Sequence, residues 1–410
     1  MIKEKIFENN TVLIYEKLPH LRSVCTGVWL KSGSRYENEM TNGISHFAEH
    51  MVFKGTPSRS ARDIADEFDG IGGILNGFTG KEATCYYAST LDIHFEKAAE
   101  ILADMVYNSL YDKNMIDRER KVILEEMAMY QDSPEDYVHE KLEYEIWKSN
   151  PLSFPIIGTK ESLARIDRDI MVDYTGSHMS PCNTVISIAG NFDEEAMLSS
   201  MEKLFGGKNK GKGIKQEGFE DPAFITGTHR YYKDIEQTYL SIAFNSYGYE
   251  APARYPMMAA TSILGGGISS RLFQTLREDK GLVYSVGAIN QSYAGTGILN
   301  IYASTGDEEV DESIDCIRKE VEDIGNNGVT VEELARVKEQ LKGNIILGME
   351  STTSRMTVMG KNRLLKGFVD EQDEVIAKID AITHDDITET VKKVMNWDKA
   401  AFSFLSSANI

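Results

Sequence analysis

The chain has 410 residues, of which 41% are hydrophobic, which is enough for two domains of roughly 200 residues with a core each. Its 44 basic and 64 acidic side chains leave a formal net charge of −20. This excess of negative charge argues against binding to nucleic acids or anionic membranes and favours cationic ligands, although surface solubility explains it equally well.

The first elements give no sign of export. Residues 1–20 alternate charged and apolar positions, which predicts a first strand and not the apolar core of a secretory signal. No later stretch reaches the roughly 20 apolar residues that cross a bilayer. The four cysteines lie far apart without a CxxC pair, which is typical of a reducing compartment. We therefore expect a soluble cytoplasmic protein in which these residues are buried: Cys25, Cys85, Cys182 and Cys316.

The segment GISHFAEHMVFKG, residues 43–55, follows a strand predicted at residues 23–30. On a helix, at about 100° per residue, it places His46, Glu49 and His50 on one face. That face can present two imidazoles to one divalent ion, as a zinc site requires. The spacing HxxEH is the mirror of HExxH and is the inverzincin signature. The apolar side chains occupy the other side of the helix: Ile44, Phe47, Ala48, Met51 and Val52.

A third ligand is needed to distinguish a metal site from two histidines that are merely solvated or packed, because catalytic zinc takes three protein ligands and a water. The helical pattern of residues 114–130 has an apolar stripe that includes Glu119 and Glu126. Glu125 lies on the opposite side. A carboxylate on a buried face is costly unless a cation or donors compensate it. This favours Glu126 as the ligand and Glu119 as a second carboxylate nearby, with a solvated glutamate as the alternative. The apolar members of the stripe are Ile116, Ile123, Met127 and Tyr130.

Residues 206–219, rich in Gly and Lys, predict an exposed connection between two domains, at residues 1–210 and 220–410. Strands followed by long helices and a last strand predict an α+β fold for each domain, in which a largely antiparallel sheet packs against a layer of helices. The other predicted helices cover residues 61–71, 95–110 and 331–349, and the other strands cover residues 184–190, 238–245, 282–288, 298–305 and 400–406.

The two halves carry a weak duplication, since YYASTL at residues 86–91 is matched by IYASTG at residues 301–306. The predicted domains are therefore homologous. Aligning the halves at an offset of 211 residues, or a nearby offset for the glutamate, replaces every ligand and predicts no metal site in the second domain. The residues opposite His46, Glu49, His50 and Glu126 are Met257, Ala260, Thr261 and Gln340.

The HxxEH segment, the duplication and Glu126, which follows His50 by 76 residues within ERKVILEEM, resemble the M16 peptidase family. That family includes mitochondrial processing peptidase, pitrilysin and insulin-degrading enzyme, and the resemblance covers essentially the whole chain. It implies one Zn²⁺ per chain, bound by His46, His50 and Glu126. It also implies Glu49 as the general base, Glu119 as a carboxylate beside the site, and an inactive second domain.

The same resemblance implies substrate contacts in the second half. Arg277 and Tyr284, in LREDKGLVY, match the Arg and Tyr of a family phrase and are implied to contact the substrate and the transition state. Taken without the family, they are an exposed helix residue and a strand aromatic.

In the first half, Asn76, Phe78 and Thr79 match the family's NAxT edge segment, where a bound peptide adds as an extra strand. Gly77 stands where the family usually has alanine, which should loosen this edge slightly.

We therefore expect a processing-peptidase-like zinc endopeptidase that cleaves peptides or unfolded segments, with basic peptides favoured by the negative charge. Family members enclose the substrate between two such chains. This predicts a homodimer, with a heterodimer containing a sister chain as the alternative. The rival function is that of a non-catalytic assembly or partner protein, because some M16 relatives are structural subunits. Retention of His46, Glu49, His50 and Glu126 together weighs against it.

Overall fold

The computed structural model describes residues 1–207 and 219–407. Most of the connection predicted at residues 206–219 therefore lies outside the described residues, and the domain boundaries at residues 210 and 220 stay a prediction. The chain forms two compact units, and each contains a segment from the opposite half of the sequence. The first unit consists of Met1–Met127, Phe154–Gly218 and Gly348–Val369, and the second of Ala128–Ser153, Phe219–Leu347 and Asp370–Ile410.

The strands divide into two sheets, one in each unit. The strands of the first sheet are β1 (Ile2–Ile6), β2 (Val12–Lys17), β3 (Ser23–Leu30), β4 (Ile74–Thr79), β5 (Thr84–Leu91) and β6 (Thr184–Gly190). Those of the second are β7 (Gly227–Tyr232), β8 (Thr238–Ser246), β9 (Val283–Ser292), β10 (Gly297–Thr305) and β11 (Ala401–Ser406).

The helices include all those predicted from periodicity, with ends that differ by a few residues at most. In chain order they are α1 (Ile44–Val52), α2 (Ala61–Gly70), α3 (Phe95–Asn108), α4 (Lys113–Asp132), α5 (Pro134–Ile146), α6 (Lys160–Leu163), α7 (Arg168–His178), α8 (Glu194–Met201), α9 (Arg254–Gly265), α10 (Val310–Asn327), α11 (Val331–Gly348), α12 (Thr352–Lys366), α13 (Gln372–Asp380) and α14 (His384–Val394). No helix in the described ranges combines the length and hydropathy needed to span a bilayer.

The two sheets have the same strand arrangement apart from one extra strand. The orders are β1-β2-β6-β3-β5-β4 and β7-β11-β8-β10-β9. In each sheet one pair is parallel, β2 with β6 and β7 with β11, and the other pairs are antiparallel. The predicted α+β class, with two related units in which a largely antiparallel sheet packs against helices, is confirmed.

Helices cover both faces of the central strands, which explains why these strands read as nearly continuous apolar runs. In the first unit, Leu13, Val28 and Tyr86 pack in the core that includes α1 and α3. On the opposite face, Trp29 packs with Met356 of α12. The second unit has the equivalent arrangement, since α5 packs on β8 and β11 through side chains that include Leu142, Ile146, Ala243 and Ala401.

The prediction of a single first strand in residues 1–20 was wrong. The segment forms the antiparallel pair β1 and β2, in which Ile6 lies opposite Val12. A tight turn separates them, because Asn10 adopts a left-handed conformation with φ 71° and the amide of Phe7 donates to the carbonyl of Thr11. Asparagine tolerates this conformation better than most residues, so the pair Asn9-Asn10 was the available signal.

The prediction that all four cysteines are buried was wrong for one of them. Cys25, Cys85 and Cys316 are buried, whereas Cys182 is exposed. Cys182 lies in a short 3-10 turn before β6, in which its neighbours Pro181 and Asn183 are the buried residues. All four are free thiols.

Candidate metal centre

Helix α1 is fixed by an apolar face packed in the first core. Ile44, Phe47, Ala48, Met51 and Val52 are each at most 1% exposed. This face leaves His46, Glu49 and His50 on the other side, as the helical spacing predicted. The orientation of the motif thus follows from the burial of the residues between its polar positions.

The N-terminus of α1 is held by Glu37, which sequence reasoning missed. One carboxylate oxygen of Glu37 accepts from the backbone amide of Gly43 at 2.7 Å, and the other accepts from that of Ser45 at 2.8 Å. Asn42 Nδ2 donates to the same group at 2.9 Å. Burial raises the pKa of Glu37, and these donors oppose the rise. Glu37 precedes the helix by more residues than a local capping box allows, so the spacing gave no signal.

Three predicted ligands converge beside this helix. One oxygen of Glu126 lies 3.8 Å from His46 Nε2, and its other oxygen lies 3.6 Å from His50 Nε2. One ligand atom from each of the three residues lies within 4.8 Å of the others. Ligand atoms around a tetrahedral zinc are separated by roughly 3.4 Å. The residues therefore fit a zinc ion, with only small movements of the side chains.

The two imidazoles have different surroundings. Burial, and then the neighbouring His50, lower the pKa of His46 to about 4. His46 is therefore neutral near pH 7, with a lone pair available to a metal. His50 Nδ1 lies 2.9 Å from an oxygen of Glu119, an outer contact of the kind that orients metal-bound histidines. The structure thus brings Glu119 next to the ligands, as the stripe of α4 predicted.

The prediction that Tyr130 belongs to the buried stripe of α4 was wrong. Ile116, Ile123 and Met127 are at most 4% exposed, but Tyr130 is 50% exposed. Met127 is the last buried residue of α4, and the final turn of the helix, which carries Tyr130, lies beyond the core. The apolar stripe in the sequence therefore extends beyond the buried part of α4.

Glu49 lies on the same face as the ligands and has a hydrogen-bond donor. The hydroxyl of Thr79 donates to Glu49 Oε2 at 2.7 Å. Burial raises the pKa of Glu49, whereas the bond from Thr79 and the charge of His50 lower it and Glu126 raises it. A carboxylate held in this way next to a metal position can accept a proton from a water molecule bound there.

Strand β4, which carries Asn76, Phe78 and Thr79, is the edge strand of the first sheet. Ile74, Asn76 and Phe78 are its more exposed residues and alternate with residues that are partly buried. Phe78 is 41% exposed and packs edge-on against Trp29. Asn76 and Phe78 are thus available to a bound peptide, whereas Thr79 contacts Glu49. Their roles as substrate contacts stay predictions.

Gly77 leaves little space for the alanine usual in the family. A Cβ atom at this position would lie 3.2 Å from Glu49 Cγ and 3.3 Å from Glu49 Oε1. The predicted loosening of the edge stays a prediction, but the structure shows that the side of β4 facing Glu49 is closely packed.

Arg277 and Tyr284 belong to the second unit, and their roles stay predictions. Arg277 lies in a π-helical segment, Phe273–Asp279, with its guanidinium 5.1 Å from the ring centre of Phe273. Tyr284 is the second residue of β9, the edge strand of its sheet, and is 63% exposed.

The second unit has a counterpart of α1 without ligands. Helix α9 packs against the edge strand β9 as α1 packs against β4. Met257 and Ala260 are fully buried in it, and Thr261 is 7% exposed. Gln340 of α11 accepts a hydrogen bond from Ser262 at 3.1 Å. The residues aligned with the ligands thus form ordinary packing and hydrogen-bond contacts.

Comparisons with known proteins match both halves. Residues 12–160 match the family described as insulinase (peptidase family M16) and residues 165–341 match the peptidase M16 inactive domain. A Bacillus subtilis protein named uncharacterized zinc protease YmxG is 40% identical over 410 residues, covering 100% of both chains. An uncharacterized zinc protease of Rickettsia felis is 37% identical over 393 residues, covering 96% of this chain and 94% of its own.

Solved structures share the fold at low sequence identity. A protease from Helicobacter pylori has a TM-score of 0.91 and 18% identity, covering 99% of both chains. A peptidase M16 inactive domain from Pseudomonas fluorescens has a TM-score of 0.92 and 18% identity, covering 99% of this chain and 98% of its own. The matched families, the full-length relatives and the resemblance of the motif agree, and the chain belongs to peptidase family M16, with relatives named as zinc proteases.

Proposed function

We propose that this chain is a zinc-dependent endopeptidase that hydrolyses peptides or unfolded protein segments, with one Zn²⁺ per chain. The observation that carries the proposal is the convergence of His46, His50 and Glu126 beside a second, hydrogen-bonded carboxylate, Glu49. Three ligands with nitrogen and oxygen donors are typical of catalytic zinc, which keeps a position for water. A purely structural zinc site would be closed by a fourth protein ligand.

The chemistry is divided between the metal and the protein side chains. When bound, zinc polarises the scissile carbonyl and lowers the pKa of a coordinated water. Glu49 accepts a proton from the attacking water and transfers it to the leaving amine. Thr79 holds the Glu49 carboxylate through its hydroxyl. Glu119 orients the ring of His50.

The free edge of β4 supports recognition of extended peptides. It pairs with β5 on one side and is the last strand of the sheet on the other. A peptide that adds here is bound through backbone groups, so specificity is broad and set by side-chain pockets. Asn76 and Phe78 are then the contacts in the first unit, and Arg277 and Tyr284 are further candidate contacts with the substrate.

Three further features belong to the proposal. Two chains form a homodimer that encloses the substrate in a chamber. The net charge of −20 favours basic peptides. The activity is cytoplasmic, which agrees with four free cysteines, and it requires neither nucleic acid nor membrane.

The alternative is a non-catalytic subunit of a larger assembly. A chain of complex III2 from Candida albicans has the same fold, with a TM-score of 0.86 and 22% identity, covering 99% of this chain and 96% of its own. The fold alone therefore does not imply proteolysis. The complete ligand set favours the enzyme, because a structural subunit gains nothing from the buried carboxylates of Glu49 and Glu119 beside two imidazoles.

The test combines zinc content with cleavage of a quenched peptide library. We expect about one zinc per purified chain and cleavage that stops when zinc is removed by a chelator and returns when zinc is restored. The variant Glu49→Gln should keep zinc but lose roughly 100-fold or more in kcat, because it lacks the general base. Full activity in that variant would overturn the role of Glu49 as general base, whereas a chain that binds zinc but cleaves no peptide would favour the alternative.

A further inference from the structure

Lys54 lies just beyond the end of α1 and is linked to the proposed ligand His50 through Glu119. Lys54 Nζ lies 2.8 Å from Glu119 Oε2, and Glu119 Oε1 lies 2.9 Å from His50 Nδ1. The Glu119 side chain is 7% exposed, so these two partners replace most of its contact with water. The three residues form a continuous chain of polar contacts that ends at the proposed metal ligand.

This chain of contacts can determine how His50 faces the metal. When His50 donates its Nδ1 proton to Glu119, its Nε2 atom keeps a lone pair, and Nε2 is the atom that lies near Glu126. A glutamate carboxylate can rotate if one oxygen alone is bound. The ion pair with Lys54 binds the second oxygen and removes that freedom.

The other imidazole has no such support. His46 Nδ1 is buried and makes no hydrogen bond to any described residue. His46 is held instead by packing, because its side chain is 12% exposed. Orientation by an outer carboxylate therefore applies to His50 and not to His46. The residue that fixes the Glu119 carboxylate can then affect how His50 faces the metal.

The second unit provides an internal comparison. In the alignment of the two halves, Gly265 stands opposite Lys54, and Thr261 stands opposite His50. Gly265 is the last residue of α9, just as Lys54 follows the end of α1. The second unit therefore has neither the lysine nor the imidazole. A Cβ atom at Gly265 would lie 2.5 Å from the backbone nitrogen of Ala288, so close packing against β9 also excludes a lysine there.

We propose that Lys54 is a positioning residue for the metal site, which fixes the Glu119 carboxylate so that His50 presents Nε2 to the metal. The proposal rests on the proposed function, because it assumes that His46, His50 and Glu126 bind zinc. Lys54 does not touch the metal or the substrate. Its loss therefore weakens metal binding and alters the geometry of the bound ion without removing a ligand.

The test measures metal binding directly in the full chain. Metal-free Lys54→Met and Lys54→Arg proteins are titrated with Zn²⁺ against a chromophoric chelator, and their Co²⁺ derivatives are compared by visible absorption. Loss of an outer-shell partner costs roughly 10- to 100-fold in metal affinity. We expect Lys54→Met to bind zinc about 10-fold more weakly, the lower end of that range, with a changed Co²⁺ spectrum. Lys54→Arg keeps the charge and should retain most of the zinc affinity of the parent protein.

Lys342 offers a matched control, since it is 20% exposed and paired with Glu339 and Asp380, whereas Lys54 is 27% exposed. The variant Lys342→Met should leave zinc affinity unchanged. Thermal unfolding of the metal-free proteins separates local from global effects. If Lys54→Met does not fold, Lys54→Gln replaces it with a smaller polar side chain and the same expectation.

A double-mutant cycle distinguishes the relay from a general electrostatic effect. Once Glu119→Gln has been introduced, Lys54→Met should cause little further loss of zinc affinity, because both act through one chain of contacts. Equal zinc affinity and Co²⁺ spectra in the parent and Lys54→Met proteins would overturn the proposal and leave the proposed function intact. A parent protein that binds no zinc would overturn both.

Discussion

Helices α1 and α9 occupy equivalent places in two related units, yet α1 carries the candidate metal ligands and α9 has other residues at the aligned positions. Beside α1, His46, His50 and Glu126 converge. Beside α9, the aligned positions are filled by buried Met257 and Ala260, and Gln340 is satisfied by Ser262. The second unit packs the equivalent helix with apolar and small polar residues at these positions, so the fold does not require the candidate ligands.

The two units also differ in the free-energy cost of the side chains that they bury at these positions. The first unit buries the carboxylates of Glu49 and Glu119, which are 9% and 6% exposed. Buried charge is tolerated only when it is paired and hydrogen-bonded, and each of these groups has such a partner. The second unit avoids this cost with apolar and small polar residues. The metal site is therefore the more demanding of the two regions to assemble.

The largest effect on zinc affinity should come from replacing the candidate glutamate ligand of α4 with the residue type aligned with it in α11. Glu126→Gln introduces the side chain that Gln340 has, and a neutral amide is a poor zinc ligand. We expect zinc affinity to fall by more than the roughly 100-fold that loss of an outer-shell partner costs, with peptide cleavage lost in parallel. Zinc titration and cleavage of a quenched peptide measure both.

The reverse change is the matched control. Gln340→Glu should neither create a second metal site nor alter cleavage, because Met257, Ala260 and Thr261 supply no imidazole. An unchanged zinc affinity in Glu126→Gln would move the third ligand to Glu119 or Glu125.

The next effect concerns α12, which gives the first unit its second helical layer. A Cβ atom at Gly360 would collide with the indole of Trp29 and lie 2.7 Å from Ser187 Oγ. Gly360→Ala should therefore destabilise the protein by roughly 1–3 kcal/mol through overpacking, measured as a lower midpoint of thermal unfolding. Gly343 of α11 has no atom within 4 Å of such a Cβ, so Gly343→Ala should stabilise its helix by roughly 0.5–1 kcal/mol. If Gly360→Ala and Gly343→Ala change the unfolding midpoint equally, then α12 does not approach the sheet closely.

A smaller effect on activity is expected at Thr79, and it distinguishes a role in positioning Glu49 from a role in binding substrate. If its hydroxyl positions Glu49, then Thr79→Val should lower kcat by about 10-fold, the equivalent of roughly 1.4 kcal/mol, and leave zinc affinity and KM nearly unchanged. Thr79→Ser keeps the hydroxyl and should keep most of the activity. A raised KM with an unchanged kcat would instead make Thr79 a substrate contact, as the resemblance implied.

The smallest effect is a pH dependence in the second unit. His139 of α5 has its Nδ1 atom 2.7 Å from Asn300 Nδ2 and 3.1 Å from Ser241 Oγ. Burial lowers the pKa of His139, partly opposed by Glu135, Glu143 and Asp136. The stabilisation from the neutral ring is thus complete above the unfolded pKa of about 6.5 and is lost as the pH falls through the lower folded value.

His139→Gln removes this titration and retains a hydrogen-bonding side chain. The difference between its unfolding midpoints at about pH 7.5 and about pH 5 should be smaller than that of the parent protein. An identical difference would show that another group, such as the buried His178, causes the acid sensitivity.

Local periodicity predicted helices α1 to α4 and α11 and placed the candidate ligands on the helix faces where the structure has them, whereas helices such as α5 and α12 were not predicted. Strand β3 begins and ends where the sequence placed it, and α1 faces its ligands as the spacing required. Both rest on short-range order, since a side chain's direction within a helix or strand depends on its own position. Glu126 was found for the same reason, because it shares a stripe with residues that are buried.

The contacts that hold the site were harder to predict, because they join residues distant in sequence. The bond from Thr79 to Glu49, the cap from Glu37 and the ion pair from Lys54 to Glu119 depend on how elements pack. The periodicity of a single element carries no information about such contacts between elements. Helices α5 and α12 were not predicted, and periodicity would not have shown their exchange between units, since an amphipathic helix does not specify which sheet it covers.

That exchange has a consequence for the order in which a growing chain can fold. Trp29, in the middle of the first sheet, completes its packing against Met356, which is synthesised more than 300 residues later. The first unit therefore cannot bury this face during most of its synthesis, although the candidate ligands leave the ribosome early. The emergence of α12, and not the completion of the first half, is the step at which the unit that carries the ligands becomes fully enclosed.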